Sequence, residues 1–197
     1  MTNVRPSLEY LPLFPLHCVL LPGSCIGLRV FERRYLDLVC ECGHSGQTFG
    51  VCLIVKGGEV GEPAVPASHG TDVRIEDFDI GTDGLLVLRL RGHRRFSIHN
   101  TLIRQNGMTM AEVEWCDPDG DDAIRPEHAF LSTLLETMLE QSDYNFIDTT
   151  GPTRFNHASW VSWRLAELLP LREQQRLSLL KMHNPHQRLQ QLLSWIQ

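Results

Sequence analysis

The chain has 197 residues, 42% of them hydrophobic and 21% charged, with a formal net charge of −6. That composition is ordinary for a globular protein and too apolar for a disordered one. The acidic balance argues against general affinity for nucleic acid, which needs clustered Lys and Arg to displace counterions.

The first informative stretch, "LPLFPLHCVLLPGSC", is apolar but broken by Pro12, Pro15 and Pro22 and interrupted by His17. A membrane span needs roughly 20 uninterrupted apolar residues. Arg5 alone makes a poor n-region for an export signal, and Pro22 stands where a lipoprotein cleavage site wants Leu. The expectation is a cytoplasmic protein whose six cysteines are reduced thiols. The stretch reads as an extended run closed by a Pro22-Gly23 turn. Phe31, Tyr35, Leu38, Val39 and Cys42 then follow at helical spacing, with Gly43 placed as the terminating glycine. "TFGVCLIVKGG" reads as a buried strand, followed by a Gly/Pro-rich loop from Gly57 to Gly70.

From Thr71 the period changes to two. "DVRIEDFDI", "GLLVLRLR" and "RRFSIHNTLIRQ" predict three consecutive strands. A two-residue loop at Thr82-Asp83 or Asp83-Gly84 would set Glu76 opposite Arg89 or Arg91. Asn106-Gly107 predicts a type I′ hairpin, because both central positions of that turn need positive φ. Cys116 to Pro126 is a polar break, and helical patterns follow it: "EHAFLSTLLETMLEQ", "ASWVSWRLAELLP", "LREQQRLSLLKMH" and a last helix with Asn184 as N-cap and Pro185 at N1. The chain thus divides into a β-rich part, residues 1–120, and a helical part, residues 121–197. Residues 117–148 carry nine acids against the single base Arg125, while residues 154–197 carry six bases against Glu167 and Glu173. Mutual attraction of these two stretches within one fold is the simplest reading.

Motifs for chemistry are mostly absent. There is no phosphate-binding G-x-x-x-x-G-K-[ST] loop, no H-E-x-x-H and no G-x-S-x-G. "CECGH" groups Cys40, Cys42 and His44, but two thiols at C-x-C on a helix point about 200° apart, and no second cysteine pair exists to complete a zinc site. Cys42 is expected in a helix core and His44 in a loop. His183 and His186 in "HNPHQ" read as solvated helix-cap histidines. No catalytic residue, no cofactor and no metal are expected. Trp160, Trp163 and Trp195 read as core rather than as a ligand platform.

"LPLFPLHCVLLPG" followed by "FERRYLDL" closely resembles the start of the Lon protease amino-terminal domain, in the form of small stand-alone bacterial proteins. The resemblance continues through "HGTDVRIEDF", through "GLLVLRLRGHRRFSI" with its Gly-x-x-Arg-Phe step at Gly92, Arg95 and Phe96, and through "NGMTMAEVEW". It ends in "LAELLPLREQQRLSLLKMHNPHQRLQQLL" and covers nearly the whole chain. It implies an α+β fold: a PUA-like, twisted and partly closed β-structure followed by a small helical bundle. It also implies a non-catalytic polypeptide-binding or adaptor module, since the ATPase and the Ser–Lys peptidase of Lon proteins have no matching positions in this sequence. The expected partner is an unfolded or extended polypeptide or a partner protein, with neither membrane nor nucleic acid. Arg94 and Arg95 are the candidate polypeptide-binding residues, because Arg95 and Phe96 must face opposite sides of a strand and leave an arginine outward. Two alternatives stand beside this reading: an RNA-binding PUA-like module using Arg89, Arg91, Arg94 and Arg95, and a small-molecule thiol enzyme.

Overall fold

The computed structural model describes residues 8–141 and 154–196. Its elements in chain order are β1 (Glu9–Leu16), β2 (Cys25–Val30), α1 (Arg33–Ser45), β3 (Phe49–Lys56), β4 (Val65–Ile80), β5 (Leu86–Ile103), β6 (Thr109–Trp115), a 3-10 turn (Pro126–His128), α2 (Ala129–Glu140), α3 (Ala158–Leu168), α4 (Glu173–Leu180) and α5 (Pro185–Ile196). The strands form one sheet in the order β2-β5-β4-β3-β1-β6, and β5 also pairs with β6, which closes the sheet on itself. Among the described residues β1 and β3 pair in parallel and the other pairings are antiparallel.

Strand alternation sorts the core. On β1, Leu11 and Leu13 join Cys52, Phe96, Ala111 and Val113 in one cluster. Phe14 and Leu16 join a second cluster with Tyr35 and Leu38 of α1. Phe96 fixes the spacing of its neighbours: a Cβ on Gly50 or Gly70 would lie 2.5 or 2.6 Å from its ring. These glycines make room for the ring rather than for a turn. The helices α2, α3, α4 and α5 surround a third cluster that includes Leu131, Leu135, Val161, Leu165, Leu179 and Leu189.

Several local expectations change. β2 was not anticipated: "CIGLRV" holds a glycine and pairs only with β5 among the described residues, so its pattern is weak. The two strands expected over residues 84–105 are one bent strand, β5, flanked by β2 and β4 in its first part and by β4 and β6 in its second. β4 begins within the expected loop, at Val65. α1 runs through Gly43 and His44 to Ser45, and the left-handed C-cap is Gly46. Both hairpins use three-residue loops. Gly84 N–H donates to Gly81 O (2.8 Å) and Gly107 N–H to Arg104 O (2.9 Å), and only the glycine of each loop has positive φ. A type I turn closed by a left-handed glycine explains both, so Asn106 needs no positive φ. Glu76 sits in a bulge between Ile75 and Asp77, where it ion-pairs with both Arg89 and Arg91. The last helix starts as expected, with Asn184 Oδ1 accepting from His186 N–H at 2.8 Å.

The strands and the helices α2–α5 meet around one carboxylate. Asp119, in the polar break after β6, accepts from Arg95 (2.9 Å), from both terminal nitrogens of Arg188, from Ser159 Oγ (2.6 Å) and from Trp163 Nε1 (2.8 Å). Arg188 is 0% exposed and lies over the Trp163 ring at 3.9 Å. Two cations face one anion, and carbonyl oxygens absorb the excess: Arg95 also donates to Leu180 O (3.1 Å) and Met182 O (2.8 Å), and Arg188 to Met182 O (2.9 Å). Burial alone would raise the Asp119 pKa, but hydrogen bonds and charge from Arg188, with help from Ser159 and Arg95, hold it below its ordinary value. Burial pushes Arg188 down to about 10, which leaves it charged at neutral pH. The acidic and basic stretches thus meet at Asp119 and Arg188. Positions 142–148 of the acidic stretch lie outside the described residues.

A second clamp holds the Pro22-Gly23 turn. Arg164 of α3 donates to Pro22 O (2.8 Å) and Gly23 O (3.3 Å), and Arg91 of β5 to Gly23 O (3.0 Å). Glu173 of α4 accepts from Val19 N–H at 2.6 Å.

Two outcomes follow. Asp119→Ala or Arg188→Ala removes one partner of a buried pair and should lower stability by about 3–5 kcal/mol in urea unfolding at neutral pH. Because the folded pKa of Asp119 is depressed, its stabilisation is complete above the unfolded carboxylate value of about 3.9 and is lost as pH falls through the lower folded value. Asp119→Asn should therefore show a smaller acid-induced loss than the parent. Second, a fragment of residues 1–153 lacks α3, α4 and α5 and should aggregate or melt without cooperativity, as followed by circular dichroism and light scattering.

Candidate functional site

Arg94 and Arg95 are adjacent on β5 and point to opposite sides, and their environments differ completely. Arg95 is 5% exposed and belongs to the Asp119 junction. Its face of β5 is covered by the helices, so the arginine opposite Phe96 is as buried as Phe96 itself. Arg94 is the outward one, with 49% of its side chain exposed. Its guanidinium lies 3.8 Å over the ring of Trp115. Trp115 is fixed in turn by Phe96, its cross-strand neighbour, and by a hydrogen bond from Nε1 to Glu9 Oε2 at 3.0 Å.

Behind Arg94 stands Asp72, buried where the extra residue of β5 shifts the β4–β5 register. One of its oxygens accepts the Arg94 backbone N–H. The other lies 3.6 Å from the Arg94 guanidinium without a hydrogen bond. Beside these residues opens a cleft of 440 Å³ between the middle of β5, the segment after β6 and α3, lined by His93, Arg94, Cys116, Asp117, Ser159 and Trp163 among others. Neither the Trp115 stack nor the Asp72 contact has a local sequence signal. Both depend on strand register.

Four other arginines on or beside the sheet are engaged, while Arg74 of β4 is exposed. Arg89 and Arg91 share Glu76, whose pKa is lowered first by the Arg91 hydrogen bond. Arg29 pairs with Asp83 at 3.0 Å and Arg104 with Glu41 at 3.5 Å. Of the four arginines of β5, Arg89 and Arg91 therefore share one carboxylate and Arg95 is buried at the junction, while Arg94 faces outward.

Five of the six thiols are shifted away from activation. Burial raises Cys18 and Cys42 to about 11, drives Cys52 higher still, and raises Cys25 and Cys116. A nucleophilic cysteine needs the opposite shift. Cys40 is exposed and Cys42 buried, on opposite faces of α1, and His44 is a helix residue whose Nδ1 contacts Cys40 O at 2.7 Å. His186 is not a solvated cap: it is buried and stacked on His128, with the two Nδ1 atoms 3.5 Å apart. Among the described residues no group of three or more His, Cys, Asp or Glu is placed to hold a metal ion. Among them, too, no helix is long and apolar enough to cross a membrane. Trp163 is core, serving the two arginines of the junction, and Trp160 and Trp195 pack against the helical cluster.

Comparison with known proteins agrees with this architecture. No curated protein matches the chain. A solved Lon N-terminal domain protein from Xanthomonas campestris is 58% identical, with a TM-score of 0.82 over 95% of this chain and 98% of that one. The N-terminal domain of the Mycobacterium avium complex Lon protease shares the fold, with 16% identity and a TM-score of 0.69 over 95% of this chain and 97% of that one. A family model described as the ATP-dependent protease La (LON) substrate-binding domain matches residues 10–197. By that match over nearly its full length, the chain belongs to the Lon substrate-binding domain family.

Proposed function

We propose that this chain binds polypeptide segments reversibly, without catalysis and without a cofactor, through a surface of its β-rich residues 1–120. In this reading the helical residues 121–197 buttress that surface. The observation that carries the proposal is the match over residues 10–197 to the substrate-binding domain of a protease, whose substrates are polypeptides. Arg94 on Trp115 is a suitable anchor: it is outward, flat, and already oriented by Asp72. The raised thiol pKa values weigh against a thiol enzyme, and the paired arginines weigh against RNA as partner.

The test is a fluorescence titration of the protein with an array of unstructured peptides, with Arg94→Ala beside the parent. The parent should bind, and Arg94→Ala should bind about two- to fivefold more weakly, as loss of an exposed cation–π anchor implies. Its melting temperature should change little, because the side chain is half exposed. The purified protein should neither hydrolyse ATP nor cleave casein. A folded parent that binds no peptide would remove the proposal.

A further inference from the structure

β4 continues past the end of its pairing with β3, which stops at Val73, and runs on to Ile80 against β5 alone. With β2 on the far side of β5, this makes a three-stranded arm. The arm carries the most exposed large apolar side chain of the described residues, Phe78 at 72%, together with Ile80 at 62%. Between the arm and α1 lies a groove of 540 Å³ whose apolar lining includes Ile75, Leu86, Leu88, Val39 and Phe78. A second, smaller depression of 230 Å³ also includes Phe78, with Asp77, Asp79 and residues of β2 and β5. Phe78 therefore contributes to two apolar concavities and fills neither.

Arg89 shares the smaller depression with Phe78, but the charge there that lacks an ion-pair partner is acidic. Glu76 and Asp83 are neutralised by arginines. Asp77 and Asp79 are not. Each accepts the backbone N–H of the next residue, from Phe78 at 3.0 Å and from Ile80 at 2.7 Å, and no cation among the described residues lies within ion-pair distance. Arg89 is the cross-strand neighbour of Asp77, but its guanidinium is turned to Glu76. An exposed apolar patch edged by uncompensated carboxylates is an interaction surface with a stated complement. The net charge of −6 adds long-range attraction of the same sense.

We propose that this groove takes a polypeptide segment in which a bulky apolar residue stands beside Lys or Arg. The apolar side chain packs against Phe78 in the groove, and the cation meets Asp77 and Asp79. This rests on the polypeptide-binding reading and adds to it both a place and a selectivity.

The experiment uses the full chain and three fluorescent peptides with the same apolar residues, flanked by Lys, Ser or Glu. Binding is measured by anisotropy at low and high salt for the parent, Phe78→Ser, Asp77→Asn/Asp79→Asn, and Arg94→Ala. The parent should prefer the Lys peptide to the Glu peptide by about tenfold at low salt, and by less at high salt. Phe78→Ser should weaken all three by at least about tenfold. The double Asn variant should lose the charge preference while keeping the Ser-peptide affinity. All three side chains are exposed, so circular dichroism spectra should match the parent. Parent binding that ignores charge, or Phe78→Ser binding like the parent, would overturn this inference. Binding reduced only by Arg94→Ala would overturn it while leaving the polypeptide reading intact, and failure of all peptides to bind the folded parent would overturn both.

Discussion

The fold depends on a single buried carboxylate. Asp119 gathers Arg95 from β5, Arg188 from α5, and Ser159 and Trp163 from α3, so three elements distant in sequence are referred to one point. A buried ion pair adds little net stability over well-packed apolar groups, but it is costly to leave half-made. Its effect is therefore selective: packings of the helices on the sheet that miss Asp119 strand one or both guanidiniums. Apolar contact between the halves cannot discriminate in this way, because it tolerates rotation and sliding. The surplus positive charge raises the demand further. It is met only when the carbonyls of Leu180 and Met182 and the face of Trp163 are in place, which fixes the α4–α5 turn as well.

The Pro22-Gly23 turn is the matching constraint on the other side of β5. Gly92 both donates to Ser24 O at 2.9 Å and accepts from Gly23 N–H at 2.8 Å, and a Cβ there would lie 2.5 Å from Leu21 O. The turn thus lies directly on the strand at the residue before His93. Arg164 then ties its carbonyls to α3. The proline-punctuated apolar run is explained by this: it must leave β1, cross the junction between sheet and helices, and return as β2 without forming a helix of its own.

Much of the architecture was legible because period and burial agree. β3 read as a strand from its continuous buried apolar run, and β4, β6 and the four helices after residue 126 from their apolar periodicity. The misses have a common physical source, which is dependence on partners far away in sequence. β2 is stabilised by β5 and not by its own pattern. The two hairpin loops are one residue longer than expected, and strand register rather than the Asn-Gly or Asp-Gly pair decides that length. The site was less legible still. Nothing local separates Asp119 from Asp117, Asp121 or Asp122 in "CDPDGDD". Alternation correctly opposed Arg95 to Phe96, but it could not show that the helices cover the Arg95 face while the closed sheet buries Phe96.

The bulge between Ile75 and Asp77 has the widest consequence for the surface. In an unbroken ladder continuing from the Ile75–Leu90 pair, Glu76 would oppose Arg89, and Asp77 and Asp79 would share the other face across from Leu88 and Leu86. The bulge instead sets Glu76 between Arg89 and Arg91, so one carboxylate engages two cations. Asp77 and Asp79 are left without a counter-charge, and Phe78 between them turns to solvent. A sequence with four arginines in strand β5 therefore presents, at the end of its arm, an acidic and aromatic face. That face depends on how strand register distributes the carboxylates among the arginines, with Glu76 taking both Arg89 and Arg91, which neither composition nor net charge reveals.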